Sequence, residues 1–174
     1  MARVLVLDQS TTCTGWALID DELKGKKALI DSGFIKSKEK EYTIRCLEIS
    51  ADIGLLFLDK KPSTVVFEDT SKGHYKSPDV GFKMGFVSGA IAQSIGTIYS
   101  YFKDQNPDKV PVDFGYCFQP VKSRKSAVTG NGNAKKEEVQ MAVTKLFGLQ
   151  FYPQEDQADA LAGAWMWLQE KGKV

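Results

Sequence analysis

The chain opens with Arg3-Val-Leu-Val-Leu7, an apolar and β-branched run that predicts a buried strand, and Asp8 follows it directly. Two further apolar segments come next and predict a second strand over Gly15–Ile19 and a third over Ala28–Ile35. The polar residues between these segments are typical of turns. The start of the chain therefore predicts a meander of three strands.

The rest of the chain alternates between helical and strand patterns. Apolar residues at steps of three or four predict a helix whose core face consists of Ile44, Leu47, Ala51, Leu55 and Leu58. The later segments predict a strand over Thr64–Phe67 ending at Glu68, a helix over Gly81–Phe102, a strand over Val110–Phe118, and helices over Val121–Val128, Ala134–Phe147 and Glu155–Glu170. This order predicts a mixed α/β sheet with helices on its faces.

Size and composition predict one domain over residues 1–174. The 174 residues lie in the range of about 100–200 that one domain usually spans. The 23 Lys and Arg residues balance 22 Asp and Glu, which excludes a chain that is basic throughout. No apolar run approaches the roughly 20 residues of a membrane span, and we expect no secretory signal. Cys13, Cys46 and Cys117 form no CxxC pair, which favours reduced thiols of an intracellular protein.

Four acidic residues stand where the side chains of a site would lie. Asp8 and Glu68 each follow a predicted strand, at the carboxyl ends where open α/β sheets bind ligands. Asp156 and Asp159 lie near the start of the last helix, on the face opposite its apolar residues. Each acid alone is also compatible with a surface or helix-start role. Two clustered carboxylates about 4 Å apart repel by about 4 kcal/mol at an effective dielectric near 20, and Mg²⁺ with oxygen ligands removes this cost.

A basic segment follows the last predicted strand. It has five cations and no acid: Lys122, Arg124, Lys125, Lys135 and Lys136. The loop Gly130-Asn-Gly132 lies within it, and backbone N–H groups near glycines suit phosphate. A short basic run can also be an ordinary solvated face. Two metal ions roughly 3.5–4 Å apart can bind the attacking and leaving oxygens of a phosphodiester. A cluster of acids that binds such ions, beside cations that attract a nucleic-acid backbone, therefore favours phosphodiester hydrolysis in a nucleic acid.

Four segments carry a resemblance that covers nearly the whole chain. They are Leu7-Asp8-Gln-Ser-Thr-Thr-Cys-Thr-Gly15-Trp, Val65-Val-Phe-Glu68, Lys125-Ser-Ala-Val-Thr-Gly130-Asn-Gly132-Asn-Ala-Lys-Lys136-Glu-Glu-Val-Gln140 and Asp156-Gln-Ala-Asp159-Ala-Leu. In this order they resemble the RuvC family of Holliday-junction resolvases. Each segment alone is a weak signal, but the third followed at this distance by the fourth is specific.

The resemblance implies an RNase H-like α/β fold with a five-stranded mixed sheet flanked by helices. It also implies a homodimer that nicks four-way DNA junctions with two Mg²⁺ ions, for which Mn²⁺ substitutes, in the cytoplasm of a bacterial or phage-infected cell. The implied catalytic residues and metal ligands are Asp8, Glu68, Asp156 and Asp159. Lys125 and Lys136 would contact DNA near the scissile phosphate.

Two departures from the family affect the expected specificity. The usual Asp-Pro-Gly is Asp8-Gln9-Ser10 here, which predicts a different turn. Ser71 stands where relatives carry an aromatic residue that contacts bases, and the nearby His74 and Tyr75 are candidates to stack on a base instead. We therefore expect relaxed sequence selectivity and activity on other branched DNA as well.

The helix predicted over residues 81–96 carries small residues along one side: Gly81, Gly85, Gly89, Ala92 and Gly96. They predict either tight packing on the protein's own sheet or an interface between two copies that includes Phe82 and Phe86. Two other functions stay open. One is a junction-binding module without catalysis, and the other is an ATPase of the actin or sugar-kinase type, whose first phosphate loop the segment after Asp8 also resembles.

Overall fold

The strands form one mixed sheet in the computed structural model, which describes residues 2–70 and 77–174. They are β1 (Arg3–Asp8), β2 (Cys13–Asp20), β3 (Leu29–Lys36), β4 (Thr64–Glu68) and β5 (Gly115–Gln119). Their order across the sheet is β3-β2-β1-β4-β5. The pairs β1–β2 and β2–β3 are antiparallel, whereas β1–β4 and β4–β5 are parallel. The predicted five-stranded mixed sheet is thereby confirmed.

Helices cover both faces of this sheet. They are α1 (Tyr42–Lys60), α2 (Pro78–Gln105), α3 (Val121–Thr129), α4 (Lys136–Phe147) and α5 (Glu155–Glu170), with short 3-10 turns at Gly25–Ala28 and Pro107–Lys109. Helices α1 and α2 pack on one face, while α4 and α5 pack on the other. Within the described residues, no helix combines the length and apolar character needed to cross a membrane.

The central strand β1 divides its side chains between two cores. Val4 and Val6 belong to the core under α4 and α5, and Leu5 and Leu7 to the core under α1 and α2. This alternation is the period of two that a strand imposes on its side chains. Because both faces are covered, the strand reads as a continuous apolar run rather than an alternating one.

The predicted core face of α1 is wrong. Ile44, Leu47 and Leu55 are 46%, 57% and 63% exposed, and the buried positions are instead Cys46, Ile49, Ser50, Ile53, Gly54 and Phe57. The helix has two apolar stripes, and the one with the small residues faces inward. A Cβ on Gly54 would meet Ser94 and Ile98 of α2, so the small side allows the two helices to approach closely.

The last strand is shorter than predicted. A 3-10 turn occupies Pro107–Lys109 and closes with Val110, and the strand begins only at Gly115. Pro111 lies just past that turn and has no N–H to donate to a ladder. The apolar residues before Gly115 serve packing instead, since the Phe114 ring contacts the rings of Phe57 and Tyr99.

Candidate active site

Two of the predicted acids lie at the ends of neighbouring parallel strands. Asp8 is the last residue of β1, and Glu68 is the last residue of β4. Strand alternation places the Asp8 side chain on the same face as Val6, and the Glu68 side chain on the same face as Val66. Val6 and Val66 pack against the core under α5. Both carboxyls therefore extend from the sheet on the side of α5.

Helix α5 reaches this edge because one residue of β2 has no side chain. Gly15 pairs with Asp8 across the β1–β2 ladder. A Cβ on Gly15 would overlap the backbone carbonyl of Asp156, so only glycine lets the first turn of α5 rest on the strand. This contact brings the start of α5 next to Asp8, with Asp159 one turn further along the helix.

The electrostatics show that three acids share one environment. Asp8 is only 9% exposed. Burial raises its pKa well above the ordinary 3.8, and a hydrogen bond with the Glu68 carboxyl and the charges of Glu68 and Asp159 raise the pKa further. Burial also raises the pKa of Asp159 to about 6, and the charge of Glu68 adds to the rise. Asp8, Glu68 and Asp159 are thus the carboxylate cluster of this site.

Asp156 lies at the margin of this carboxylate cluster and has other partners. Gln154 Nε2 donates to Asp156 Oδ2 at 3.2 Å and to Cys13 Sγ at 3.3 Å. Burial and the neighbouring Asp156 carboxylate raise the pKa of the Cys13 thiol to about 12, so it stays protonated and is no nucleophile. Sequence reasoning did not find Cys13 at the site, because nothing in its spacing indicates it.

The donor chemistry of the site fits a hard divalent cation. Asp8, Glu68 and Asp159 offer only oxygen atoms, the ligands that Mg²⁺ prefers. Across residues 2–70 and 77–174, however, no three His, Cys, Asp or Glu side chains have the geometry to hold an ion. Asp8 is instead hydrogen-bonded to Glu68, and its raised pKa favours a proton in that hydrogen bond. A cation that binds here would have to displace the proton and separate the two carboxyls.

One of the predicted DNA-binding residues is placed wrongly by the sequence analysis. Arg124 is 1% exposed, and its Nη1 donates to the backbone carbonyl of Leu7 at 2.8 Å. A residue buried in this way cannot contact a nucleic acid at the surface. Its charge lowers the pKa of Asp8 and of Asp159, so it lies behind the carboxylate cluster as an internal cation.

The space for Arg124 comes from a second glycine. A Cβ on Gly163, one turn after Asp159 on α5, would lie 2.9 Å from Arg124 Nε and 2.8 Å from Val6 Cγ1. Arg124 Nε and Nη2 are buried and have no hydrogen-bond partner. A charged group in this position offsets the repulsion among the carboxylates, at the cost of two unsatisfied donors.

The other predicted cations are at the surface or partly exposed. Lys125 is half-buried on α3 and lowers the pKa of Asp159, which places it beside the carboxylate cluster. Lys122 and Lys135 are exposed. Lys136 forms an ion pair with Glu155, and this pair raises the pKa of the lysine. The glycine loop lies close against α3: a Cβ on Gly132 would lie only 3.0 Å from the Lys122 carbonyl oxygen.

The turn after Asp8 has its own hydrogen bonds. Ser10 Oγ donates to the Cys13 carbonyl at 2.6 Å and accepts from the Cys13 N–H at 3.1 Å. Gln9 is 2% exposed and contacts the backbone of Glu68. In the sequence both residues stand out only as departures from a family pattern, and nothing in composition or spacing indicates that Gln9 is buried.

The small residues along α2 differ in their surroundings: a Cβ on Gly96 would lie 3.8 Å from the Tyr116 hydroxyl of β5, and that hydroxyl donates to the Ala92 carbonyl. A Cβ added to Gly85 or Gly89 would meet nothing within 4 Å, so these two positions are not tightly packed against the rest of the chain. Phe82 on the same helix is 64% exposed. Ser71, His74 and Tyr75 lie outside the described residues.

Comparisons with known proteins agree on one family. The family model described as crossover junction endodeoxyribonuclease RuvC matches residues 4–166. A protein of that description from Pseudoalteromonas translucida is 32% identical, covering 93% of this chain and 83% of its own length. A protein of the same description from Acinetobacter baumannii is 27% identical, and the alignment covers 94% of this chain and 81% of that protein. The structure of Thermus thermophilus RuvC in complex with a Holliday junction substrate superposes with a TM-score of 0.72 at 20% identity, covering 99% of this chain and 96% of that one.

Proposed function

The chain belongs to the RuvC family of crossover junction endodeoxyribonucleases, and from this we propose that it resolves four-way DNA junctions by metal-dependent hydrolysis of phosphodiester bonds. The observation that carries the proposal is the carboxylate cluster, in which Asp8 and Glu68 at the ends of β1 and β4 meet Asp159 of the second turn of α5. Burial beside other acids raises the pKa of Asp8 and of Asp159, an arrangement that is unfavourable for folding alone and favourable for binding a cation.

The ligands in this proposal are Asp8, Glu68 and Asp159, with Asp156 as the fourth, and the ions are two Mg²⁺ that Mn²⁺ can replace. When bound, the ions supply a water molecule of lowered pKa and neutralise the charge that develops on the phosphate. The chain's own part is to hold the carboxyls on rigid strand and helix ends. Asp8 must lose the proton that its raised pKa favours before it can act as a ligand.

The basic residues near the carboxylate cluster are proposed to place the DNA backbone. Lys125 already faces Asp159, so its ammonium group is near the position that a scissile phosphate would take. Lys122 and Lys135 are exposed and supply charge that does not depend on sequence. Lys136 would exchange its partner Glu155 for a phosphate when DNA binds.

The junction has two strands to cut, and we propose that a homodimer supplies two sites. At Gly85 and Gly89 an added Cβ would meet open space, and this is where a second copy of α2 would approach the helix. The surface beside it is apolar and partly exposed, with a cavity of about 180 Å³ lined by Phe67, Ser88, Gly89, Ala92, Tyr116 and Phe118. Phe118 is 60% exposed, a cost that burial against a partner would remove.

Three expectations of the sequence analysis remain parts of this proposal. They are one nuclease domain over residues 1–174, relaxed sequence selectivity with activity on other branched DNA, and action in the cytoplasm of a bacterial or phage-infected cell. A junction-binding module without catalysis is less favoured, because such a protein gains nothing from carboxylates placed near phosphate.

The experiment incubates the purified protein with a synthetic four-way junction, with Mg²⁺ or with a chelator. We expect paired nicks only with Mg²⁺. Asp8→Asn should abolish cleavage and keep or strengthen junction binding, because it removes a negative charge near the phosphate. The matched control is Asp31→Asn on β3, whose carboxylate pairs with Lys60 at the surface and should leave cleavage unchanged. Cleavage by Asp8→Asn at the wild-type rate would contradict the proposal.

A further inference from the structure

The side chain of Gln9 joins the ends of the two strands that carry Asp8 and Glu68. Its Nε2 donates to the Glu68 carbonyl at 2.8 Å, and its Oε1 accepts from the Glu68 N–H at 3.1 Å. Nε2 also donates to Ser88 Oγ of α2 at 3.2 Å. The residue is 2% exposed, so water does not compete for these bonds.

These contacts lie beyond the backbone pairing of the two strands. The β1–β4 register runs from Val4 with Thr64 to Val6 with Val66. Further on, the Gln9 amide takes both peptide groups of Glu68, as a backbone neighbour in a sheet would. Both N–H groups of the amide and its oxygen are engaged, so the amide has one orientation, and turning it over would break all three bonds.

The placement of the amide links it to the carboxylate cluster. Gln9 follows Asp8 directly in the chain, and the groups it holds belong to Glu68 itself. The distance between the two carboxyls therefore depends on this amide as well as on the strands. Ser88 in turn donates to the Met84 carbonyl at 2.9 Å, which ties the amide to α2.

We propose that Gln9 is a positioning residue for the cleavage reaction, whose amide fixes the backbone of Glu68 relative to Asp8 and so sets the affinity of the site for its divalent ions. The role of Gln9 in cleavage rests on the proposed function, whereas its placement rests on the three hydrogen bonds. Residues that orient metal ligands typically change metal affinity or activity about 10–100-fold when they are replaced.

The test compares Gln9→Met, which keeps the length and loses all three bonds, with Gln9→Asn, which keeps the amide but is one methylene short. Mn²⁺ alone is titrated into the DNA-free full chain by calorimetry. We expect the Mn²⁺ dissociation constant to rise about 10–100-fold for Gln9→Met and by less for Gln9→Asn. The Mg²⁺ concentration for half-maximal cleavage should rise in the same order, while junction affinity in chelator stays within threefold.

Ile53→Val is the control for stability, because Ile53 is a fully buried residue of α1, in the core on the face of the sheet opposite the acids. It should lower the unfolding midpoint and leave the Mn²⁺ affinity unchanged. Mn²⁺ affinity within twofold of wild type for Gln9→Met would overturn the proposal, and so would an equal loss in Ile53→Val. Absence of cleavage by the wild-type chain would instead contradict the proposed function and leave the calorimetric comparison to decide the role of Gln9.

Discussion

Replacing Asp159 by asparagine should stabilise the metal-free protein while it abolishes cleavage. The raised pKa of this carboxyl means that folding favours its protonated form. The sign follows from linkage: this contribution to stability is fully present below pH 3.8, the ordinary pKa, and is lost as the pH rises through the folded-state value of about 6. Above that pH the folded protein carries a buried charge that it disfavours, and asparagine removes it.

The size of the effect follows from the same two values. The pKa of Asp159 rises from 3.8 to about 6, a difference of about 2.2. At 1.36 kcal/mol for each pH unit, the ionised carboxyl costs the folded protein about 3 kcal/mol of unfolding free energy at pH 7. With a urea m-value of about 1–3 kcal/mol/M for small proteins, the unfolding midpoint of Asp159→Asn should lie at least about 1 M above that of the wild type.

The assay is urea unfolding in chelator at pH 7 and at pH 4, with Asp31→Asn as the surface control. The difference between Asp159→Asn and wild type should be large at pH 7 and nearly vanish at pH 4, where the wild-type carboxyl is protonated. Adding Mg²⁺ at pH 7 should raise the wild-type midpoint more than that of the variant. If Asp159→Asn is no more stable than the wild type at pH 7, Asp159 is not a buried member of the carboxylate cluster and the reasoning is wrong.

Three further variants examine other parts of the site. Arg124→Met should lose about 3–5 kcal/mol of unfolding free energy at pH 8, because the acids lose their internal cation. The loss should be smaller at pH 5, where the acids are more protonated. An equal loss at both pH values in urea unfolding would contradict this role. Lys125→Ala should raise the pKa of Asp159 and move the acidic limb of the pH–cleavage profile to higher pH, and an unmoved limb would contradict the placement of the lysine. Gly89→Leu should yield a folded monomer by analytical ultracentrifugation, because a Cβ at this position meets nothing within 4 Å in its own chain and the leucine would obstruct a second copy of α2. A dimer of wild-type strength would place the interface elsewhere.

The ends of the strands were the most predictable part of this site. An apolar run that stops at an acid gives both the strand and the position of the acid, and Asp8 and Glu68 follow from that pattern. Their approach also follows, because the carboxyl ends of adjacent parallel strands lie at one edge of the sheet.

Helix faces were harder to predict, because both a surface and a core can be apolar or charged. Helix α1 has two apolar stripes, and only the need for close contact with α2 selects the one with Gly54. Arg124 belongs to a basic run and was predicted to lie at the surface with its neighbours. It is buried because Gly163, far away in sequence, leaves room for its guanidinium.

The most direct test of the account is anomalous diffraction from crystals of the full chain soaked in Mn²⁺. We predict density for the metal enclosed by carboxylate oxygens of Asp8, Glu68 and Asp159, with the hydrogen bond between Asp8 and Glu68 broken. Well-ordered side chains with no metal between them at saturating Mn²⁺, or metal bound only at other acids, would contradict it.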